Sequence, residues 1–178
     1  PGNAGFCLNF EGNHYVMTQG GTGLDSATDA FTLEAWVYRT GLTPVWGSIL
    51  DRPPFRLTTF ASEKLYFSLS TTEGTVSVES PEGSVPLNTW VHVAAVWDGE
   101  TMQAFVNGEL RNSRTHGGTI AYQPAPTLMG ARTTGGSEAW IGSLDEIRIW
   151  SIARSASEIR ETMRVPLSGL EEGLEVYY

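Results

Sequence analysis

Apolar and polar residues alternate with a period of two along most of the chain, as expected for strands with one buried face. In "AGFCLNF" the pattern sets Phe6, Leu8 and Phe10 on one face. In "FTLEAWVYR" Phe31, Leu33, Ala35 and Val37 alternate with Thr32, Glu34, Trp36 and Tyr38. "KLYFSLS" and "TVSVES" repeat the alternation, divided by a turn at Thr72-Glu73-Gly74. The clearest local prediction is a meander. Trp90–Trp97 reads as a strand, Asp98-Gly99-Glu100 as a turn and Met102–Val106 as a second strand. Asn107-Gly108 then makes a two-residue hairpin, because Asn-Gly suits a type I′ turn whose central residues both need positive φ.

Residues 115–139 are rich in turn-forming residues ("THGG", "QPAPT", "TTGGSE") and read as loop. Alternation returns in "AWIGSLDEIRIW", with Ile147 and Ile149 on one face and Arg148 and Trp150 on the other. The same alternation sends the adjacent acids Asp145 and Glu146 to opposite faces. Ser155, three residues before Glu158, forms a capping box. Ile159 and Met163 share a face of the short helix that follows, and Pro166 stops it. "GLEVYY" reads as a last strand. About ten to twelve strands and one short C-terminal helix predict an all-β, two-sheet antiparallel sandwich. Residues 1–178 read as a single domain, and the opening "PGNAGFCLNF" reads as the start of a module within a longer protein.

Composition narrows the functions. Twenty Gly, nine Pro and 11% aromatic residues suit a turn-rich β protein, and 40% apolar residues supply a core. The net charge of −9, with Lys64 the only lysine, argues against nucleic acid and against anionic membrane surfaces. No apolar run approaches the length of a membrane span, so no membrane insertion is expected. Cys7 stands alone and forms no internal disulfide.

Enzyme motifs are weak. There is no G-x-S-x-G elbow, and His14, His92 and His116 lack the spacing of a zinc-protease helix. "GGTG" at 20–23 lacks the strand, helix and Lys-Ser/Thr ending of a phosphate loop and reads as a plain loop. Glycosidase chemistry needs two carboxylates flanking one bond. Asp145 and Glu146, sent to opposite faces, do not form that pair, and nothing pairs Glu34 with a distant acid. The sequence therefore predicts no catalytic residues.

Four stretches, in order, resemble a known family. "CLNFEGNHYV" is similar to the opening of laminin G-like, concanavalin A-like domains, and "FTLEAWVYR" to their second signature. "TWVHVAAVWDGETMQAFVNGEL" resembles their central meander, and "WIGSLDEIRIWSIARSASEI" their closing strand and helix. The last two patterns and the final strand also resemble pentraxins. The resemblance implies a jelly-roll sandwich, extracellular or at the cell surface, of a kind that often binds calcium, glycans or proteins.

Calcium takes six to eight oxygen ligands. The resemblance implies one structural ion near Glu11, Asn13 and Asp145, although His14 stands where relatives often carry Asp. In the other reading Glu11 caps a turn, and Asp145 accepts hydrogen bonds from neighbouring backbone or from Arg148. Ala131, Arg132 and Thr133 occupy the place of the pentraxin acid–amide–acid cluster, so the double calcium site of pentraxins is not expected. Sugar recognition combines aromatic faces with a few planar polar groups. "PVWGSILDRPPFR", read as a loop, offers Trp46, Asp51, Arg52 and Phe55, and "RTTGGSEAW" offers Arg132, Glu138 and Trp140. Pentraxin-like topology implies that both lie on one side. The leading expectation is a non-catalytic recognition module that binds a glycan or an extracellular protein through loops. The alternatives are a purely architectural module of an adhesin or enzyme, and a glycan-cleaving enzyme.

Overall fold

The computed structural model of the chain describes residues 6–18, 29–41, 46–123 and 125–178. The Gly-Gly-Thr-Gly run at 20–23 lies outside them. The described strands are β1 (Leu8–Glu11), β2 (Val16–Met17), β3 (Phe31–Arg39), β4 (Trp46–Arg52), β5 (Phe55–Phe60), β6 (Leu65–Thr71) and β7 (Gly74–Glu79). They continue with β8 (Trp90–Trp97), β9 (Thr101–Val106), β10 (Glu109–Thr115), β11 (Leu128–Met129), β12 (Ile141–Trp150) and β13 (Leu174–Tyr177). One helix, α1 (Ala156–Thr162), lies between β12 and β13.

The strands form two antiparallel sheets. One runs β1-β12-β3-β8-β9-β10, and the other β2-β11-β4-β5-β6-β7. β1 pairs with the first half of β12, and β13 with its second half. The predicted alternation becomes the contact between the sheets. Phe31, Leu33, Ala35 and Val37 all enter the core, and the Phe31 ring lies 4.9 Å from Phe55 of the opposite sheet. The predicted meander is β8-β9-β10. Asn107 and Gly108 have φ of 53° and 74°, as a type I′ turn requires. Gly142 fits where β12 crosses closest to β3: a Cβ there would stand 2.0 Å from the Tyr38 carbonyl oxygen. This all-β, two-sheet jelly roll matches the architecture expected from the sequence.

Two local expectations are corrected. "WGSILDRPPFR" is not a loop but the hairpin β4–β5, turned at Pro53-Pro54 with a cis peptide between them. Arg52 pairs with Phe55 and Asp51 with Arg56, so the prolines fill a two-residue turn where no ladder donor is needed. The second correction concerns Asp145 and Glu146. β12 bulges between Asp145 and Arg148, and Glu146 takes φ of 50°. Leu144 and Ile147, three apart, both reach the core, so both acids are turned away from it. The extra residue cancels the expected opposition.

The outer face of the β12-β3-β8-β9 sheet is covered by the C-terminal segment. The predicted capping box forms, with Glu158 N–H donating to Ser155 Oγ and Ser155 N–H donating to Glu158 Oε2. Ile159 is fully buried against Ala94, Val96 and Phe105. Arg148 donates to the carbonyl oxygens of Thr162 (3.0 Å) and Val165 (2.8 Å), at and just beyond the helix end. Trp36 Nε1–H donates to the Met163 carbonyl.

Polar groups under this cover pair in a chain. Arg154 Nη1 lies 2.7 Å from Glu34 Oε1, and its guanidinium carbon lies 4.1 Å from the Trp150 ring centroid. His92 Nε2 stands 3.3 Å from Glu34 Oε2. Arg148 Nη2 donates to Glu146 Oε2 at 2.6 Å, and Tyr177 O–H donates to the same oxygen at 2.8 Å. Glu34 is thus a structural anion beneath the helix.

Candidate functional site

The outward face of the second sheet is polar and open. On β6, Leu65, Phe67 and Leu69 enter the core, which leaves Tyr66, Ser68 and Ser70 outside. On β7, Val76 and Val78 face inward, which leaves Thr75 and Ser77 outside. Phe55 and Leu57 of β5 do the same for Arg56. These outward residues border a cleft of about 500 Å³, lined by Asp51, Pro53, Pro54, Arg56, Tyr66, Ser68, Ser70, Thr75, Arg132 and Thr133. The volume falls within the usual range for small-molecule sites.

One wall is a run of alternating charges. Arg56 Nε donates to Asp51 Oδ2 at 2.7 Å, and its Nη2 donates to Glu138 Oε2. Arg132 Nη1 donates to Glu138 Oε1 at 2.7 Å. Asp51 and Arg56 meet because they are cross-strand partners in the β4–β5 hairpin. Glu138 and Arg132 come from the loop between β11 and β12. That loop is fixed to β4, because Ser48 N–H donates to the Glu138 carbonyl at 2.8 Å. Burial pushes the Asp51 carboxyl above its ordinary pKa, and the adjacent Arg56 guanidinium pulls it back in part. Ser70 and Thr75 hydroxyls, 2.9 Å apart, stand across the cleft floor. Trp46 is partly exposed and packs its ring 4.8 Å from Tyr66 and 4.7 Å from Phe60, which extends the aromatic end of this face.

The structure therefore brings Asp51, Arg132 and Glu138 together, with Trp46 beside Tyr66. It does not bring Arg52 or Trp140 to them. Arg52 is buried, with Nη1 3.4 Å from Thr127 Oγ1 and its guanidinium over the Tyr122 ring. Trp140 is buried in the core beneath Arg39. Phe55 is buried in the core as well, and all three are expected at the ligand surface only because their segments read as loops. Arg52 lies in a paired strand, and Trp140 leads directly into one.

Arg56, Tyr66, Ser68, Ser70 and Thr75 were not among the sequence candidates. Reading "DRPPFR" as a hairpin would have placed Arg56 opposite Asp51. The alternation in "KLYFSLS" already set Tyr66, Ser68 and Ser70 on a polar face.

The three residues proposed for calcium do not fit one ion. Leu8 pairs with Leu144, and Glu11 with Ile141. Glu11 and Asp145 are therefore about four strand positions, or about 13 Å, apart along the ladder, whereas calcium ligands lie about 2.3–2.6 Å from the metal. Asp145 Oδ1 accepts the Glu146 N–H at 2.9 Å. Among the described residues no cluster of three His, Cys, Asp or Glu side chains is arranged to hold a metal. No described helix is long and apolar enough to cross a membrane. A second groove of about 390 Å³ beside Trp90 is lined by Glu82, Ser84, Asn107 and Arg111 among others. Asn107 Oδ1 is already engaged by the His92 N–H.

Known proteins agree with this architecture. A candidate carbohydrate-binding protein from Bacteroides ovatus superposes with a TM-score of 0.80 at 22% identity. The match covers 97% of this chain and 50% of that one, so the chain spans half the length of that relative. The CBM40 of the Ruminococcus gnavus IT-sialidase, bound to α2,3-sialyllactose, superposes at 0.67 with 16% identity over 87% of this chain and 95% of that one. Domain 4 of AbnA, a GH43 extracellular arabinanase from Geobacillus stearothermophilus solved with arabinotriose, gives 0.67 and 17% over 90% and 77%. At such identities these likenesses establish a shared fold. No curated protein matches the chain by sequence. A laminin G family profile described as "Concanavalin A-like lectin/glucanases superfamily" matches residues 10–160. With its two-sheet sandwich and its closing strand and helix, the chain belongs to this laminin G-like, concanavalin A-like family.

Proposed function

We propose that the protein is a non-catalytic, extracellular glycan-binding module, and that the cleft over β4, β5 and β6 is its binding site. The observation that carries this reading is the cleft's composition. Tyr66 stands at one end, with the Trp46 ring packed against it outside the lining. Planar charged groups, Asp51, Arg56 and Arg132, form a wall, and the floor carries serine and threonine hydroxyls. Sugars present apolar faces and many hydroxyls, and these groups match both. Similar folds bound to sialyllactose and to arabinotriose support a sugar as the ligand.

The carboxylates support binding rather than cleavage. Asp51 and Glu138 are both engaged by Arg56, which stands between them. Glycoside hydrolysis needs the bond, and for inversion also a water, between its two carboxyl groups. Here a guanidinium fills that space, which leaves no room for the scissile bond between the two carboxyl groups.

The test is a glycan array followed by titration calorimetry on its hits. Binding should be lost, by about tenfold or more, in Tyr66→Ala and Arg132→Ala, each checked for folding by circular dichroism. Reducing-end release from the same polysaccharides should stay at background. An array without hits would refute the glycan reading, and steady release would refute the non-catalytic one.

A further inference from the structure

The proposed glycan cleft, on which this inference rests, is lined by Asp51, Arg56 and Arg132, and Glu138, which is not itself in the lining, joins the two arginines, so that two acids and two bases pair in a row. Asp51, Arg56, Glu138 and Arg132 follow one another as minus, plus, minus, plus, each in contact with the next. Their formal charge sums to zero. From this pairing we infer that the cleft takes an uncharged oligosaccharide, and that the four side chains act as a fixed, self-neutralised polar wall rather than as an anion receptor.

An acidic glycan would need an available cation. Arginine binds carboxylate and sulfate best through two parallel N–H donors on one edge of the guanidinium. Arg56 has Nε on Asp51 and Nη2 on Glu138, so that fork is already occupied by protein carboxylates. Arg132 is half-exposed and keeps donors for the ligand, but its Nη1 holds Glu138 Oε1. A carboxylate docking on Arg132 would sit beside Glu138 and face like-charge repulsion in a site partly shielded from water. A hydroxyl brings no such penalty and accepts the same N–H donors.

The rest of the lining agrees. Ser68, Ser70, Thr75 and Thr133 are neutral hydroxyls that both donate and accept, and Tyr66 adds an aromatic face. No other cation borders the cleft among the described residues. The whole chain carries −9, so its long-range field repels polyanions before they reach the cleft. Length points to more than one sugar. From Tyr66 to Ser70 the outward face of β6 runs about 13 Å, longer than a single hexose ring, and Trp46 extends it beyond Tyr66.

The experiment titrates the folded protein with paired oligosaccharides of equal length. Neutral gluco-, xylo-, manno-, galacto- and arabino-oligosaccharides are set against oligogalacturonate, oligoglucuronate, sialyllactose and heparin fragments, at low and high salt. The best neutral ligand should bind at least about tenfold more tightly than any acidic one, and its affinity should change less than about twofold with salt. Glu138→Gln removes one negative charge and leaves Arg132 uncompensated. It should raise affinity for the acidic set by about fivefold or more at low salt, and this gain should vanish at high salt. Tighter binding of acidic than of neutral ligands, with a steep salt dependence, would overturn the inference and leave the glycan reading standing. Measurable neutral binding with no gain of acidic binding in a folded Glu138→Gln would show that Glu138 is not what excludes anions, and would overturn the proposed role of the wall. Failure of every sugar to bind would refute the glycan reading itself, and this inference with it.

Discussion

Arg56 holds the charges of the cleft in place, and its removal has two separable consequences. Asp51 and Glu138 would each lose a partner, and Asp51 is largely buried. Arg56→Ala should therefore cost about 1–3 kcal/mol of stability in urea denaturation, the usual cost of an unsatisfied buried polar group. It should also abolish saccharide binding in a titration where Arg111→Ala, far along the surface, binds normally. Arg154 is the matching case under the helix. Arg154→Ala would strand the buried Glu34, so a loss of about 3–5 kcal/mol is expected. A loss below about 1 kcal/mol would mean that Glu34 finds another partner or a proton. Residue identities were readable in the sequence at both places, but the partners were not. Glu34 looked like an outward acid, and it is outward from the core, yet α1 closes over it.

At the scale of elements, α1 is a lid held by a few contacts. The Ser155 cap and the Ile159 anchor were both legible, because capping chemistry and i,i+4 spacing are local. Ser155→Ala should cost about 1 kcal/mol. Ile159→Ala should cost about 2–5 kcal/mol, because the side chain fills a closed site against Ala94, Val96 and Phe105. Both are read from urea midpoints. If Ile159→Ala costs no more than Ser155→Ala, the helix is not an integral part of the fold. The hairpin β4–β5 shows the opposite case. Gly and Pro clusters signal loops, and by that signal "SILDRPPFR" reads as one. Its strand character comes from pairing on both sides, with β6 next in the chain and with β11, which lies far away in sequence. The bulge at Glu146 has the same origin: it takes up one residue between the pairings of β12 with β3 on either side.

At the scale of the molecule, buried titratable groups couple stability to pH. Burial holds His92 below its ordinary pKa of 6.5, helped by Arg148 and Arg154 and opposed by Glu34. For Glu34, burial acts to raise the pKa, but the contacts with His92 and Arg154 outweigh it and hold it below 4.5. Below pH 6.5 the unfolded chain therefore binds a proton at His92 that the folded chain refuses. Below pH 4.5 the same holds at Glu34. Stability should be full above pH 6.5 and should fall as the pH drops through these ranges. Asp51, raised by burial, acts in the opposite sense near its ordinary value of 3.8 and softens the last part of the fall. Thermal melts from pH 8 to pH 4 test this, and His92→Gln should flatten the decline between 6.5 and 4.5. An identical decline in that variant would remove His92 from the account.

What the sequence determined by itself was local and periodic. Alternation names the core faces of β3, β6, β8 and the second half of β12, Asn107-Gly108 sets the hairpin, and Ser155–Glu158 starts the helix. These follow from backbone geometry within a few residues, and the order of the stretches was enough to point to the family. Tertiary structure alone decided which residues meet. It joined Asp51 to Arg56, Glu138 and Arg132, set Trp140 and Arg52 inside, separated Glu11 from Asp145, and covered Glu34. Register between strands distant in sequence is fixed by the packing of the whole sandwich, because shifting a pairing by one residue exchanges the buried and exposed faces. The cleft is a product of that register, so its residues lie scattered along the chain with no motif to announce them.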